Sequence, residues 1–361
     1  MAEVVLGVGT NKGLFLGRGH GGKWEFSGPR FPMQAVYAIG IDTRRAVPRL
    51  LVGADSSHWG PSVFRSDDLG STWHEPQRPA VKFPRDTDAS LERVWQLKPA
   101  GAEAPDVVYA GTEPGALFRS EDGGETFSLV RALWEHPQRE QWAAGFGGQA
   151  VHTVVTDPRD ADAVTIAVST GGVYRTLDGG KSWAPFNTGV QTTFLPERYP
   201  QFGQCVHKVA QDSEDPDRLF LQNHGGVYRS DNAGRSWTSI AEGLPADFGF
   251  PVATHPRRGG VAYVFPLQAD SDRFPAGKHC RVYRTEDAGK SWQKLSAGLP
   301  ASEHYGAVLR DALCLDDNDP AGVYFGNRNG EVYASADDGD SWQLIASHLP
   351  DVLCVRAAVT S

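Results

Sequence analysis

The sequence predicts an all-β chain folded as a seven-bladed β-propeller of four-stranded antiparallel blades, closed by the C-terminal strand joining the N-terminal blade. Three observations carry this. A phrase of the form Ser/Thr-x-Asp-x-Gly-x-Ser/Thr-Trp recurs along the chain, and the aromatic residues that end it fall at Trp24, Trp73, Phe127, Trp183, Trp237, Trp292 and Trp342. They are 49 to 56 residues apart, and a period that regular marks one repeat architecture over residues 1–361. Between copies, short β-rich runs are bounded by Gly, Pro and Asp, which is the grammar of antiparallel blades. Finally, the N-terminal copy holds only three strand-like runs, while Asp351 to Val359 is a strand with no blade of its own. Placing that strand innermost in the N-terminal blade latches the ring and leaves no long exposed sheet edge.

The third repeat shows the expected order of elements. Ala150 to Val155 reads as an apolar inner strand ended by Asp157-Pro158, Ala163 to Ser169 as the second, Val173 to Thr176 as the third and Ser182 to Phe186 as the fourth. The repeated phrase then falls in the turn between third and fourth strands. Its Asp is suited to accept backbone N–H bonds and its Gly to adopt positive φ, while the Trp packs against neighbouring strands. These are structural tasks. The copy ending at Trp24 keeps Gly21 but has lost the Ser and the Asp.

Composition narrows the function. With 35 Lys and Arg against 44 Asp and Glu, the formal charge of −9 argues against general nucleic-acid binding, which needs a basic face. No apolar run reaches membrane-spanning length and no cationic, apolar segment opens the chain, so a soluble, cytoplasmic protein is expected. Cys205, Cys280, Cys314 and Cys354 show no paired spacing, so neither a disulfide framework nor a zinc knuckle is predicted.

The phrase resembles the Asp-box, or BNR repeat, of sialidases, xyloglucanases, sortilin-type receptors and photosystem II assembly-factor propellers. The resemblance covers essentially the full length and implies the propeller fold. Because that group includes hydrolases, receptors and assembly factors, it implies no single chemistry. Gly147 to Thr153, Cys205 to Lys208, Gln222 to Gly226 and Leu309 to Ala312 look like stretches of bacterial BNR-repeat proteins labelled sialidase-like or glycosyl hydrolases. In sialidases three arginines clamp a carboxylate beside a Tyr–Glu nucleophile pair and an Asp acid. Here the nearest string, Pro29-Arg30-Phe31-Pro32, has the wrong order and precedes the inner strand of its blade; Arg310 and Arg328 offer guanidinium groups, but a full triad is not placed.

The repeats also set a register for locating a site. In propellers the ligand usually sits over the central channel, near the starts of the inner strands. Equivalent positions there are Tyr37, Trp95, His152, His207, Pro251, Arg310 and Cys354, a ring more varied and polar than a purely structural one. Loops joining second to third strands add Asp55, His58, Glu113, His224 and Arg328. Long insertions carry Trp142, Glu197, Arg198, Arg273 and neighbouring aromatic and charged residues, and long loops in a compact ring are often functional.

Two chemistries fit. His152, His207 and His224 are placed to converge on a divalent metal, with Glu113 as a carboxylate, which would activate water or acidify a proton; inter-blade hydrogen bonding by the same imidazoles is the structural alternative. Metal-free hydrolysis by paired carboxylates would draw on Asp55, Glu113, Glu135, Glu197 and Glu303, with Tyr199 and Tyr305 beside two of them. The candidate catalytic residues are therefore His152, His207, Glu113, Arg310 and Tyr305. Candidate substrate contacts are Tyr37, Trp95, Trp142, Arg198, Arg273 and Arg328. The expected partner is a carbohydrate or anionic small molecule handled by a hydrolase or lyase; the alternative is a non-catalytic propeller that docks a protein on its aromatic and Arg-rich loops.

Overall fold

The computed structural model describes residues 3–76, 78–145 and 147–360. Its strands form seven antiparallel sheets arranged as the blades of a propeller. The blade made by both chain ends is the terminal blade, and the others are numbered one to six along the chain. In the terminal blade Val352–Thr360 is innermost and pairs antiparallel with Glu3–Thr10, followed by Gly13–His20 and Lys23–Arg30. The ends thus latch the ring as the three-stranded N-terminal repeat requires.

Blades one to six follow with inner strands Ala35–Asp42, Arg93–Pro99, Val151–Asp157, Val206–Gln211, Gly249–Thr254 and Leu313–Leu315. Blade one departs from the four-strand pattern: three strands are bonded in full, and the fourth position is a single bridge from His74 to Arg65. In blade three the second strand starts earlier than expected, at Asp160, and the fourth shrinks to Ala184–Pro185. The later start of the fourth strand has a local cause, since the backbone of Ser182 is already bonded to Asp178 in the preceding turn.

The repeated phrase builds the same turn in every copy from blade one to blade six. In blade one the backbone N–H of Gly70 donates to Ser66 Oγ at 2.8 Å, that of Thr72 donates to Asp68 Oδ1 at 2.8 Å, and Thr72 Oγ1 donates to Asp68 Oδ2 at 2.6 Å. Blade four has Asn232 at the Asp position, and its Oδ1 accepts from the Ser236 backbone at 2.9 Å. An amide can therefore do this work, so the negative charge is not required for the geometry. Two of the closing aromatics also fasten blade to blade: Trp237 Nε1 donates to the Phe186 carbonyl and Trp292 Nε1 to the Ile240 carbonyl, each in the preceding repeat.

Six of the seven inner strands carry a register shift near their start. It falls between Val36 and Ala38, Val94 and Gln96, Val151 and Thr153, Val206 and Lys208, Gly249 and Val252, and opposite Gly9 and Thr10 in the terminal blade. The residues left over are Tyr37, Trp95, His152, His207, Phe250 with Pro251, and Leu353. A bulge of this kind leaves one residue unpaired and re-aims its side chain. Of the ring read from the sequence, Tyr37, Trp95, His152, His207 and Pro251 fall in these bulges, whereas Arg310 lies just before the unshifted inner strand of blade six. In the terminal blade the position belongs to Leu353, because Cys354 is paired with Gly9 and buried.

Deeper in the channel, Lys208 Nζ lies 2.7 Å from Asp311 Oδ1, and Arg356 contacts the same carboxylate. Among the described residues no helix is long and apolar enough to cross a membrane.

Candidate functional site

The bulges surround a cavity of about 500 Å³ at one mouth of the channel. Concave pockets of this size with an apolar lining and a few convergent polar groups are the usual form of small-molecule sites. Two walls with different chemistry face each other.

The first wall is a pair of tilted aromatic rings flanked by two arginines. The Arg93 guanidinium lies 4.4 Å from the centre of the Tyr37 ring, Tyr37 and Trp95 meet at 4.9 Å, and the Arg310 guanidinium lies 4.9 Å from the Trp95 ring. Trp95 is held from behind by Glu113, whose Oε2 accepts from Trp95 Nε1 at 3.0 Å and from Arg93 Nη1 at 2.9 Å. Burial pushes the Glu113 carboxyl above its ordinary range, opposed by the Trp95 bond and Arg93. Gly148 makes room for it: a Cβ there would lie 1.8 Å from Glu113 Oε1. Glu113 does not line the cavity, so it positions Trp95. Among the described residues Arg310 Nε is buried without a hydrogen-bond partner.

The second wall is made of Cys205, His207, His224 and Asp270. His207 Nδ1 is 2.5 Å from the Gly249 carbonyl, which fixes the proton on that nitrogen and leaves Nε2 as an acceptor, 3.5 Å from Cys205 Sγ. His224 Nε2 lies 3.3 Å from Asp270 Oδ2. Phe248 packs edge-on against both imidazoles, and Phe250 lies 4.9 Å from the His207 ring. Burial, then the nearby Arg310, holds the His207 imidazole down at about 3, so it is neutral at physiological pH. Burial also raises the Cys205 thiol.

The predicted residues divide between those the cavity gathers and those it does not. Tyr37, Trp95, His207, His224, Arg273, Arg310 and Arg328 line it. Of these, Arg328 is tied to Asp351 at 2.7 Å, and Arg273 lies 5.6 Å from the Phe250 ring centre. His152 does not line it: the ring is fully buried, with Nδ1 3.1 Å from Thr153 Oγ1, and burial holds it neutral. In the group of possible metal ligands its place is taken by Cys205. Trp142 is buried in blade three, where its Nε1 donates to Tyr174 Oη at 2.9 Å. Tyr305 is exposed and donates to Glu303, and Arg198 is exposed and bonds Gln191. Asp55 sits 3.5 Å from Arg93, behind the first wall. Pro251 gives way to its neighbour Phe250.

Sequence reasoning passed over Cys205, Asp270, Phe248 and Phe250. Cys205 had a usable signal, standing two residues before His207 and therefore on the same side of an extended strand. The sialidase arrangement is not assembled. Arg30 lies in the outermost strand of the terminal blade, and Arg328 is occupied by Asp351.

No family model matches the chain. It is 26% identical over 260 residues to xyloglucanase Xgh74A of Acetivibrio thermocellus, which covers 63% of this chain and 29% of that enzyme. The chain thus spans less than a third of the length of the curated relatives it matches first. Among solved structures, a GH74 enzyme of Niastella koreensis superposes with a TM-score of 0.61 at 18% identity, over 94% of this chain and 55% of that one. The periplasmic gluconolactonase PpgL of Pseudomonas aeruginosa gives 0.59 at 12% identity, over 99% of both chains. At these identities the likeness to both structures is one of fold.

Proposed function

We propose that the protein is a carbohydrate-acting enzyme of the hydrolase or lyase type whose substrate binds in the channel-mouth cavity and presents an anionic group to Arg310. The observation that carries this reading is the Tyr37–Trp95 platform with the Arg310 guanidinium laid against it. Sugar rings have apolar C–H faces that stack on aromatic rings. A half-buried guanidinium with an unused N–H favours a carboxylate, which it binds in a planar fork. The similarity to xyloglucanases supports a carbohydrate substrate and favours an enzyme over a docking propeller.

The walls divide the work. Tyr37, Trp95 and Arg310 bind and orient, with Glu113 holding Trp95 in place. The opposite wall supplies the chemistry: the Asp270 carboxylate is the proton acceptor that faces the cavity, since Asp311 is engaged by Lys208 and Arg356. A carboxylate open to the cavity can take a proton from water or from a carbon beside a carboxylate.

Reducing-end release and double-bond formation, measured on neutral and uronate-bearing oligosaccharides, test the reading. Turnover of a uronate-bearing substrate, reduced in Arg310→Ala and Trp95→Ala, is the expected result. Absence of both turnover and calorimetric binding across the panel would overturn it.

A further inference from the structure

We propose that Cys205 Sγ, His207 Nε2 and a ring nitrogen of His224 form a binding site for a divalent transition metal of the zinc class on the second wall of the cavity. The three ligand atoms all lie within 4.8 Å of one another. The Cys205–His207 separation is 3.5 Å. In a tetrahedral zinc site, bonds of about 2.3 Å to sulfur and 2.0–2.1 Å to nitrogen put those two ligands about 3.6 Å apart. The pair is therefore already spaced as one edge of such a polyhedron.

The surroundings fit the same reading. Ligating histidines characteristically donate their other ring N–H to a carbonyl or carboxylate, which fixes the tautomer and the ring plane. His207 does this to the Gly249 carbonyl, and Asp270 lies against His224. Phe248 packs against both imidazoles and Phe250 against His207, and such an apolar shell limits solvent access. A thiolate and the Asp270 carboxylate would offset the charge of a dication, while Arg310 and Arg273 near Cys205 remain available to an anionic group. Three protein ligands leave one position open toward the cavity, as catalytic zinc sites do and structural ones do not. Sulfur with two imidazoles selects zinc, cobalt or copper over magnesium and calcium.

The competing account is a simple S–H···N hydrogen bond between Cys205 and His207 with no ion. Metal content and cobalt reconstitution distinguish the two. The full chain, freed of metal with a chelator and titrated with Co²⁺, should bind one equivalent and develop a near-ultraviolet thiolate-to-cobalt charge-transfer band. Cys205→Ser should abolish that band, and His224→Gln should weaken binding at least tenfold. His152→Ala, outside the ligand group, should keep the full stoichiometry. If Cys205→Ser or His224→Gln does not fold, alkylation of Cys205 in the unaltered protein gives a second readout: zinc should protect the thiol from iodoacetamide. No stoichiometric binding, a cobalt spectrum without the charge-transfer band, or alkylation indifferent to zinc would overturn the proposal. The carbohydrate reading stands or falls separately, because substrate binding to the Trp95 wall is measured on the metal-free protein.

Discussion

Lys208 Nζ lies 2.7 Å from Asp311 Oδ1, a buried ion pair that ties blade four to blade six under the cavity floor. Arg356, from the strand that closes the ring, contacts the same carboxylate. One acid thus holds two cations, and Arg310 is the residue immediately before it in the chain. Removing one member of a buried pair leaves an uncompensated charge, which costs about 3–5 kcal/mol. Asp311→Ala is therefore expected to lose stability on that scale in urea denaturation. Lys208→Met should lose less, because Arg356 still faces the carboxylate.

The repeated turns predict an acid limb. Hydrogen bonds from the Thr72 side chain and backbone hold the Asp68 carboxyl at about 2, against an ordinary 3.8, and Ser182 and Ser291 do the same for Asp178 and Asp287. A depressed carboxylate contributes stability that is complete above its ordinary value and is lost as pH falls toward the folded one. The melting temperature should hold down to about pH 4 and then drop toward about pH 2. Asp68→Asn should melt near the parent at neutral pH, as the natural Asn232 turn implies, and show a shallower acid limb. Asp68→Ala should lower the melting temperature at both pH values.

Trp95→Ala removes the aromatic surface on which a sugar ring would stack, so ligand affinity should fall by about tenfold or more, as truncating a central aromatic contact commonly does. Glu113→Gln tests positioning. It keeps an acceptor for Trp95 Nε1 but loses the charge facing Arg93, so affinity should fall less than in Trp95→Ala while the fold is retained. Isothermal calorimetry with the best oligosaccharide from the panel reads both.

Deleting 352–360 removes the innermost strand of the terminal blade and every bond it makes to Glu3–Thr10. It also removes Arg356 from Asp311. The cooperative thermal transition should be lost or shifted strongly downward by circular dichroism, not merely trimmed at one end of the chain.

The fold was legible because a repeat prints the same instruction many times. Six copies of one turn outweigh the weak signal of any single short strand. The latch was legible for a related reason: a strand without a blade and a blade without a strand imply each other. The site was legible only as a register. Tyr37, Trp95, His207 and Arg310 were found by alignment of equivalent positions, and they do line the cavity. His152 occupies the same register, yet it is buried beside Thr153 while Gly147, Gly148, Ser169 and Thr170 provide its blade's share of the wall. Loop residues fared worst. Trp142, Arg198 and Tyr305 have the right chemistry, but the paths of their loops are set by contacts with Tyr174, Gln191 and Glu303 that no periodicity announces.

The bulge near the start of six inner strands has a consequence for how such a protein changes. Each extra residue is excluded from the ladder, so its identity is nearly free of the demands of strand pairing. The blades whose bulge residue reaches the cavity then act as independent holders, each presenting one exchangeable tool to a common space, while the turns and tryptophans that keep the ring shut lie elsewhere. Chemistry can be rewritten one spoke at a time without renegotiating the wheel.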